Sequence, residues 1–186
     1  MKKIKILLVC ALLTASVANA AEVSEKKTAI KTLPADSIDI IEPEDYEVYV
    51  AVFAAGKLDG IPFGYVVLEQ KTLREKIRKD NWKDIDNYLA DDFNRKNEKE
   101  HMIEEKFRTD NSKLHIKVRN KTGESFGPFD SGRTYVSRVG FNRDKTQALV
   151  YVQHVAGPEM GIGHYVFLDK TDGKWVIAGS GIGRIF

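Results

Sequence analysis

The sequence predicts an α+β domain in which N-terminal helices pack on a C-terminal antiparallel β-meander. Between residues 43 and 107, apolar side chains recur at a spacing of about 3.6, which is typical of helices. From residue 113 onward, apolar and polar residues alternate, which is typical of strands. Short turns join these strand segments and favour antiparallel neighbours. We expect the helices to cover one face of the sheet.

The first predicted helix begins at Pro43 and ends before Gly56. Proline suits the first turn, the two acids that follow favour the positive end of the helix dipole, and glycine is a stop signal. The valines of this segment leave a strand as the alternative. A strand is predicted over 63–69, and three helical pieces follow within the charged stretch 72–107. Their apolar stripes are Leu73 and Ile77; Trp82, Ile85, Leu89 and Phe93; and Met102, Ile103 and Phe107.

Five strands are predicted after these helices. They cover residues 114–118, 134–141, 147–155, 164–169 and 174–180. Turn-forming residues at 142–145 and 171–173 connect the strands tightly. The segment 156–163 is the longest link inside the meander.

The first 20 residues have the order of a secretory signal. Three lysines within the first five positions precede an apolar run at 6–13 and a stretch of small residues that ends at Ala20. The apolar run is shorter than the roughly 20 residues that cross a bilayer. We expect cleavage after Ala20 and a periplasmic or secreted protein without a stable membrane anchor.

The signal also contains the single cysteine, Cys10. Lipid attachment at Cys10 is the alternative, although Val9 is large where a lipoprotein signal has a small residue. Cleavage after Ala20 would leave a domain with no thiol. Such a domain forms no disulfide and has no cysteine nucleophile or thiolate ligand.

Removal of the signal changes the charge balance of the chain. Three of the 29 basic residues lie in the signal, which leaves 26 against 27 acidic residues and a net charge of −1. This balance gives no electrostatic reason to expect nucleic acid as a partner. Residues 21–43 are predicted to be an extended leader, and 44–186 a single domain large enough to fold without disulfides.

The segment 156–163 is the first candidate for a functional site. Its glycines, Gly157, Gly161 and Gly163, permit backbone conformations that bring main-chain N–H groups towards a ligand or partner. The plainer interpretation, which we favour, is a wide hairpin connection or a β-bulge.

Two histidines flank this segment. His154 ends one predicted strand and His164 starts the next, so a hairpin could place them together, with Glu159 in the loop above. Two imidazoles and a carboxylate could bind zinc or act as a general base with its orienting partner. Imidazoles at strand ends more often serve in packing and hydrogen bonding, so no catalytic residue, metal ligand or cofactor is assigned.

Four segments of the C-terminal half form a recognisable pattern. They are 137–142 (SRVGFN), 147–152 (QALVYV), 163–168 (GHYVFL) and 172–175 (DGKW). Together they resemble a family of exported bacterial proteins of unassigned function, and the resemblance covers most of residues 44–180. The family supplies no catalytic residues to carry over. Its members often have cysteines in the loop that matches 156–163, and their absence here argues against a thiol or metal site.

The ending 173–177 (GKWVI) is also similar to that of cone-shaped α+β domains of the nuclear transport factor 2 type. The sequence as a whole favours a non-enzymatic module of the bacterial envelope. Its expected partner is a small ligand or an envelope protein, bound through His154, Gly157, Glu159, Gly161, Gly163 and His164. The alternative is a hydrolase or metal-dependent enzyme that uses His154, His164 and Glu159.

Overall fold

The computed structural model of the protein describes residues 41–56, 58, 64–82, 85–119, 132–157 and 159–185. The helices are α1 (Pro43–Ala54) and α2 (Asn87–Lys96), and a short 3-10 helix covers Lys79–Asn81. The strands are β1 (Tyr65–Glu69), β2 (His115–Arg119), β3 (Arg133–Val136), β4 (Gly140–Phe141), β5 (Gln147–Gly157), β6 (Met160–Thr171) and β7 (Lys174–Ile185). The predicted signal, and the predicted leader up to residue 40, lie outside the described residues. Neither described α-helix is long and apolar enough to cross a membrane.

The strands form one mixed sheet in the order β2–β1–β3–β5–β6–β7, and β4 also pairs with β5. β5, β6 and β7 are antiparallel neighbours. β1 instead pairs in parallel with both β2 and β3. The α+β class is confirmed, but the sheet is not antiparallel throughout. The long segment that contains α2 supplies the crossover that parallel pairing of β1 and β2 requires.

The two helices pack on opposite faces of the sheet. Alternate residues of a strand point to opposite faces. In β5, Val150 and Val152 belong to the apolar cluster of α1, whereas Leu149 and Tyr151 belong to the apolar cluster of α2. The expectation that both helices cover one face is therefore wrong. In the sequence, β1 lies between α1 and α2. The chain therefore passes through the sheet between the two helices, and each helix packs on a different face.

Two segments that were predicted to be helical are instead extended. Leu73 bridges to Ser137, and the N–H of Ile103 donates to the Gln70 carbonyl. These segments have an extended backbone, and their apolar side chains pack in the core. The prediction of helices at 73–77 and 102–107 is therefore wrong. The predicted strand 134–141 is interrupted after Val136, whereas β5, β6 and β7 all extend beyond their predicted ends.

Arg138 lies in the interruption between β3 and β4, and it is 1% exposed. Its Nε donates a hydrogen bond to Asp45 Oδ2 at 2.5 Å, and Asp45 is fully buried in the first turn of α1. Glu42 lies beside the pair. Its Oε1 is 3.9 Å from Arg138 Nη2 and 3.3 Å from Lys96 Nζ. These contacts compensate the buried charges and join α1 to the β3–β4 interruption.

The main chain of Arg138 holds the other helix. Its N–H donates to Asn97 Oδ1 at 2.7 Å, and Asn97 Nδ2 donates to the carbonyls of Arg138 at 3.0 Å and Phe93 at 2.8 Å. Asn97 directly follows α2. Gly140 lets this helix approach β4, since a Cβ there would lie 2.6 Å from Phe93 Cβ. One residue therefore holds α1 through its side chain and α2 through its backbone.

The buried carboxyl of Asp45 titrates in an unusual range. Burial raises the pKa of Asp45 from its ordinary 3.8 to about 6, while the positive charges of Arg138 and Lys96 act in the opposite direction. Between about pH 4 and pH 6, the folded chain therefore holds more protons at Asp45 than the unfolded chain. The contribution of Asp45 to the free energy of unfolding falls as pH rises through this window.

Replacing the guanidinium of Arg138 should make the free energy of unfolding depend more steeply on pH. Arg138→Met is expected to lower the free energy of unfolding by about 3 kcal/mol at pH 8, because a buried carboxylate loses its partner. The loss should shrink towards pH 5, where Asp45 is protonated. Urea denaturation of parent and variant at both pH values measures it. The double variant Asp45→Asn/Arg138→Met lacks the buried carboxylate at position 45 and serves as the control. A loss of equal size at pH 5 and pH 8 would contradict the account.

Candidate functional site

The segment 156–163 is a tight hairpin with a register shift between Val155 and Gly157, as the favoured interpretation of a hairpin connection or β-bulge predicts. β5 continues to Gly157, which pairs with Met160 at the start of β6. Gly161 and Gly163 therefore lie within a strand and pair with residues of β5. The proposed display of loop N–H groups to a ligand does not apply to these two residues, because they belong to the sheet.

The two histidines lie on the same face of the sheet as α1. His154 pairs with Ile162 and His164 pairs with Val152, so the two imidazoles are diagonal neighbours across β5 and β6. Both are buried. The Nδ1 atom of His154 lies 3.2 Å from Thr134 Oγ1, within hydrogen-bond distance. The Nε2 atom of His164 has no hydrogen-bond partner among the described residues.

The third member of the predicted constellation is separate from the histidines. Glu159 is exposed at the hairpin turn. The ring of His154 packs on Gly132, where a Cβ would lie 2.8 Å from the imidazole. Across the described ranges, no three His, Cys, Asp or Glu side chains are arranged to hold a metal ion. The structure thus brings the histidines together in a packed environment and leaves the carboxylate outside it.

The strand glycines have a different role, which is to make room for aromatic side chains on the face that carries α2. A Cβ on Gly163 would overlap the Tyr151 hydroxyl, and a Cβ on Gly181 would overlap the Trp82 indole. By contrast, a Cβ on Gly179 would meet no atom within 4 Å. Gly163 and Gly181 are therefore required by contacts with side chains, not by backbone conformation.

Four aromatic rings lie side by side over these glycines. The ring centroids of Tyr151 and Tyr165 are 4.9 Å apart. Trp82 lies 5.9 Å from Tyr165 and 4.9 Å from Phe167. A Cβ on Gly183 would come within 2.8 Å of both tyrosine rings. The rings thus pack on the backbone of β6 and β7 at Gly163, Gly181 and Gly183.

A cavity of about 390 Å³ lies beside this aromatic cluster, and we call it the Trp82 cavity. Its lining residues are Lys76, Ile77, Arg78, Trp82, Tyr165, Ile182 and Gly183. Ile182 is 61% exposed. None of the six residues predicted to bind a ligand lines this cavity.

The rim of the cavity is held by hydrogen bonds from two directions. Asn94 on α2 accepts a hydrogen bond from the N–H of Ile77 at 2.9 Å and donates one to its carbonyl at 3.1 Å. The hydroxyl of Tyr165 donates to Glu75 Oε1 at 2.8 Å and lies 3.1 Å from the Lys76 carbonyl. These contacts fix the main chain from which the side chains of the rim extend.

The two tyrosines beside the cavity remain neutral at physiological pH. Burial raises the pKa of the Tyr151 phenol to about 12, and burial together with the hydrogen bond to Glu75 raises the pKa of Tyr165 further still. The positive charge of Arg184 acts in the opposite direction on both phenols. The Tyr151 hydroxyl is buried and has no hydrogen-bond partner among the described residues. This hydroxyl lies over Gly163.

A second concavity of about 720 Å³ lies next to α1. Its aromatic wall consists of Tyr46 and Phe107, whose ring centroids are 5.1 Å apart. Its charged lining residues balance each other, with Glu47 and Glu105 against Lys106 and Arg108. This groove is larger than the Trp82 cavity, but its charges select for neither an anion nor a cation.

Sequence reasoning missed the Trp82 cavity because its walls come from distant parts of the chain. The sequence predicts Trp82 in the apolar stripe of a helix, and no spacing rule connects it with the glycines of the last strand. The usable signal was the alternation of Gly179, Gly181 and Gly183 in the last strand, next to an aromatic strand. Small residues opposite large ones indicate that side chains from elsewhere lie across the sheet.

The chain was compared with protein-family models, with curated proteins and with solved structures. No match was found in any of the three comparisons. We therefore infer the function from the geometry and chemistry of the described residues.

The role of the glycines can be tested by adding one methyl group. Gly163→Ala is expected to lower the free energy of unfolding by about 2 kcal/mol, because the Cβ would displace the Tyr151 ring from a packed cluster. Gly179→Ala is the matched control in the neighbouring strand and should change it by less than about 0.5 kcal/mol. Urea denaturation of both variants measures the difference. Equal stability of the two variants would show that the aromatic cluster does not require the missing Cβ.

Proposed function

We propose that the protein is an exported, non-enzymatic binding module that holds a small molecule in the Trp82 cavity. The observation that carries this proposal is the cavity itself, with its aromatic wall, its cationic rim and its backbone floor at Gly183. Its volume of about 390 Å³ lies within the roughly 300–1,000 Å³ range of small-molecule sites. A preformed cavity of this size suits one compact organic molecule.

The aromatic wall favours a ligand with a flat apolar face. Trp82 contacts Tyr165 and Phe167, and its indole lies against Gly181, so its orientation is fixed before any ligand binds. A fixed ring loses little conformational freedom on binding, which favours affinity. Ile182 extends the apolar surface at the rim. Stacking against Trp82 is therefore the main apolar contact in the proposal.

The chemistry of the site favours binding over catalysis. Tyr151 and Tyr165 keep their protons, so neither phenol is a nucleophile or a general base near neutral pH. Glu75, the nearby carboxylate, already accepts the hydrogen bond of Tyr165. His154 and His164 lie on the opposite face of the sheet. The alternative of a hydrolase or metal-dependent enzyme gains no support from this arrangement.

Export is part of the proposal and depends on the first 20 residues. Their charged, apolar and small-residue order is that of a cleavable signal. The resemblance of residues 44–180 to exported bacterial proteins agrees with it. A periplasmic or secreted location would expose the cavity to small molecules of the envelope.

A neutral aromatic probe, N-phenyl-1-naphthylamine, tests whether the cavity binds ligands. Its fluorescence should rise on binding to the purified protein with a stoichiometry of one per chain. Trp82→Leu should weaken binding about tenfold, which corresponds to the loss of one stacking contact of about 1.4 kcal/mol. Tyr88→Leu removes an exposed aromatic side chain on α2 and serves as the control.

Thermal unfolding of each variant shows whether the fold is intact. If Trp82→Leu is unstable, Ile182→Asn gives a second test, because this exposed residue lines the cavity without supporting the core. Binding that is unchanged in both cavity variants would place the probe elsewhere and contradict the proposal.

A further inference from the structure

We infer that the Trp82 cavity selects an organic anion, in which a carboxylate, phosphate or sulfonate is joined to a ring with an apolar face. This inference rests on the proposed function, because it names the class of ligand that the same cavity would hold. Two observations support it: the charges of the side chains that line the cavity, and the hydrogen bonds that fix the main chain between them.

Among the described residues that line the cavity, two are cationic, Lys76 and Arg78, and none is acidic. Glu75 accepts the hydrogen bond of the lining residue Tyr165. A negatively charged group entering the cavity would therefore meet an excess of positive charge.

Among the described residues, the two lining cations differ from the nearby Lys79 in having no acidic partner. Lys79, one residue beyond Arg78, forms an ion pair with Asp91 at 2.8 Å. Within the described part of the chain, no carboxylate lies within ion-pair distance of Lys76 or Arg78. Both side chains are exposed. They can contact an anion without first giving up an existing ion pair.

The fold sets the spacing of these cations. Asn94 holds the backbone N–H and carbonyl of Ile77, the residue between Lys76 and Arg78. The Ile77 side chain packs in the apolar cluster of α2. Two cations therefore extend from a main-chain segment that is fixed at its centre. Such an arrangement can hold two oxygens of one anionic group.

The apolar side of the cavity would contact the ring of the ligand. Trp82 and Ile182 line this side. Aromatic acids and acidic sugars both combine an anionic group with an apolar ring face, and either chemistry fits these contacts.

A pair of probes that differ in one charged group separates this inference from the proposed function. The probe 1-anilinonaphthalene-8-sulfonate carries the ring system of N-phenyl-1-naphthylamine with an added sulfonate. We expect the sulfonate probe to bind at least tenfold more tightly in 50 mM salt, and this advantage should narrow in 500 mM salt because the ions screen the rim charges. Both titrations use the full protein and require one probe per chain.

Replacing the two cations at the rim with neutral residues tests whether they bind the anionic group. Lys76→Gln and Arg78→Gln should each weaken binding of the sulfonate probe about fivefold and leave the neutral probe unchanged. Lys117→Gln, an exposed cation on β2, is the matched control and should change neither titration. A ratio of the two affinities that stays the same in both rim variants, or a parent that binds both probes equally, would overturn the inference.

Competition then identifies the source of the anion. Benzoate and glucuronate are each added against the bound sulfonate probe, with benzyl alcohol and glucose as neutral counterparts. Displacement by benzoate supports an aromatic acid, and displacement by glucuronate supports an acidic sugar. Neutral compounds that displace the probe as well as their acids would overturn the selection for an anion. Failure of both naphthyl probes to bind would instead contradict the proposed function.

Discussion

The buried residue Arg138 is the constraint on which the two sides of this fold depend. Its guanidinium contacts Asp45 at the start of α1, and its main-chain N–H and carbonyl contact Asn97 at the end of α2. The helices lie on opposite faces of the sheet, so one residue at the β3–β4 interruption fixes both layers. The desolvation of Asp45 shows that this arrangement has an energetic cost, since burial favours the neutral acid. Such a pair is better understood as specifying one packing arrangement than as adding stability.

The position of α2 in turn determines the candidate site. Asn94, in the last turn of α2, holds the main chain at Ile77. That contact places Lys76 and Arg78 at the mouth of the cavity, while the glycines of β6 and β7 leave space for Trp82 and the tyrosines. The cavity thus depends on three features. They are the position of α2, the hydrogen bonds from Asn94 to the main chain at Ile77, and the glycines of β6 and β7. None of these features depends on the tight hairpin that joins β5 and β6.

The sequence predicted those parts of the fold that local patterns control. Alternation located β5 and β6, and Pro43 and the following acids located the start of α1. The failures concern partners that are distant in sequence. Gly163 looked like a loop glycine because the Tyr151 ring that fills its space belongs to the neighbouring strand. The pairing of Arg138 with Asp45 spans 93 residues, and no spacing rule connects them. The candidate site was placed at His154 and His164, because clusters of polar residue types are visible in a sequence and cavities are not.

The ligand of the proposed function lies in the Trp82 cavity, beside the Trp82 indole and the backbone at Gly183. Amide and indole chemical-shift mapping of 15N-labelled protein with 1-anilinonaphthalene-8-sulfonate tests this claim most directly. The account predicts that the largest and saturable shifts occur at the Trp82 indole N–H and at the amides of Gly181 and Gly183. Shifts centred on His154 and His164, or on the groove at Tyr46 and Phe107, would contradict it.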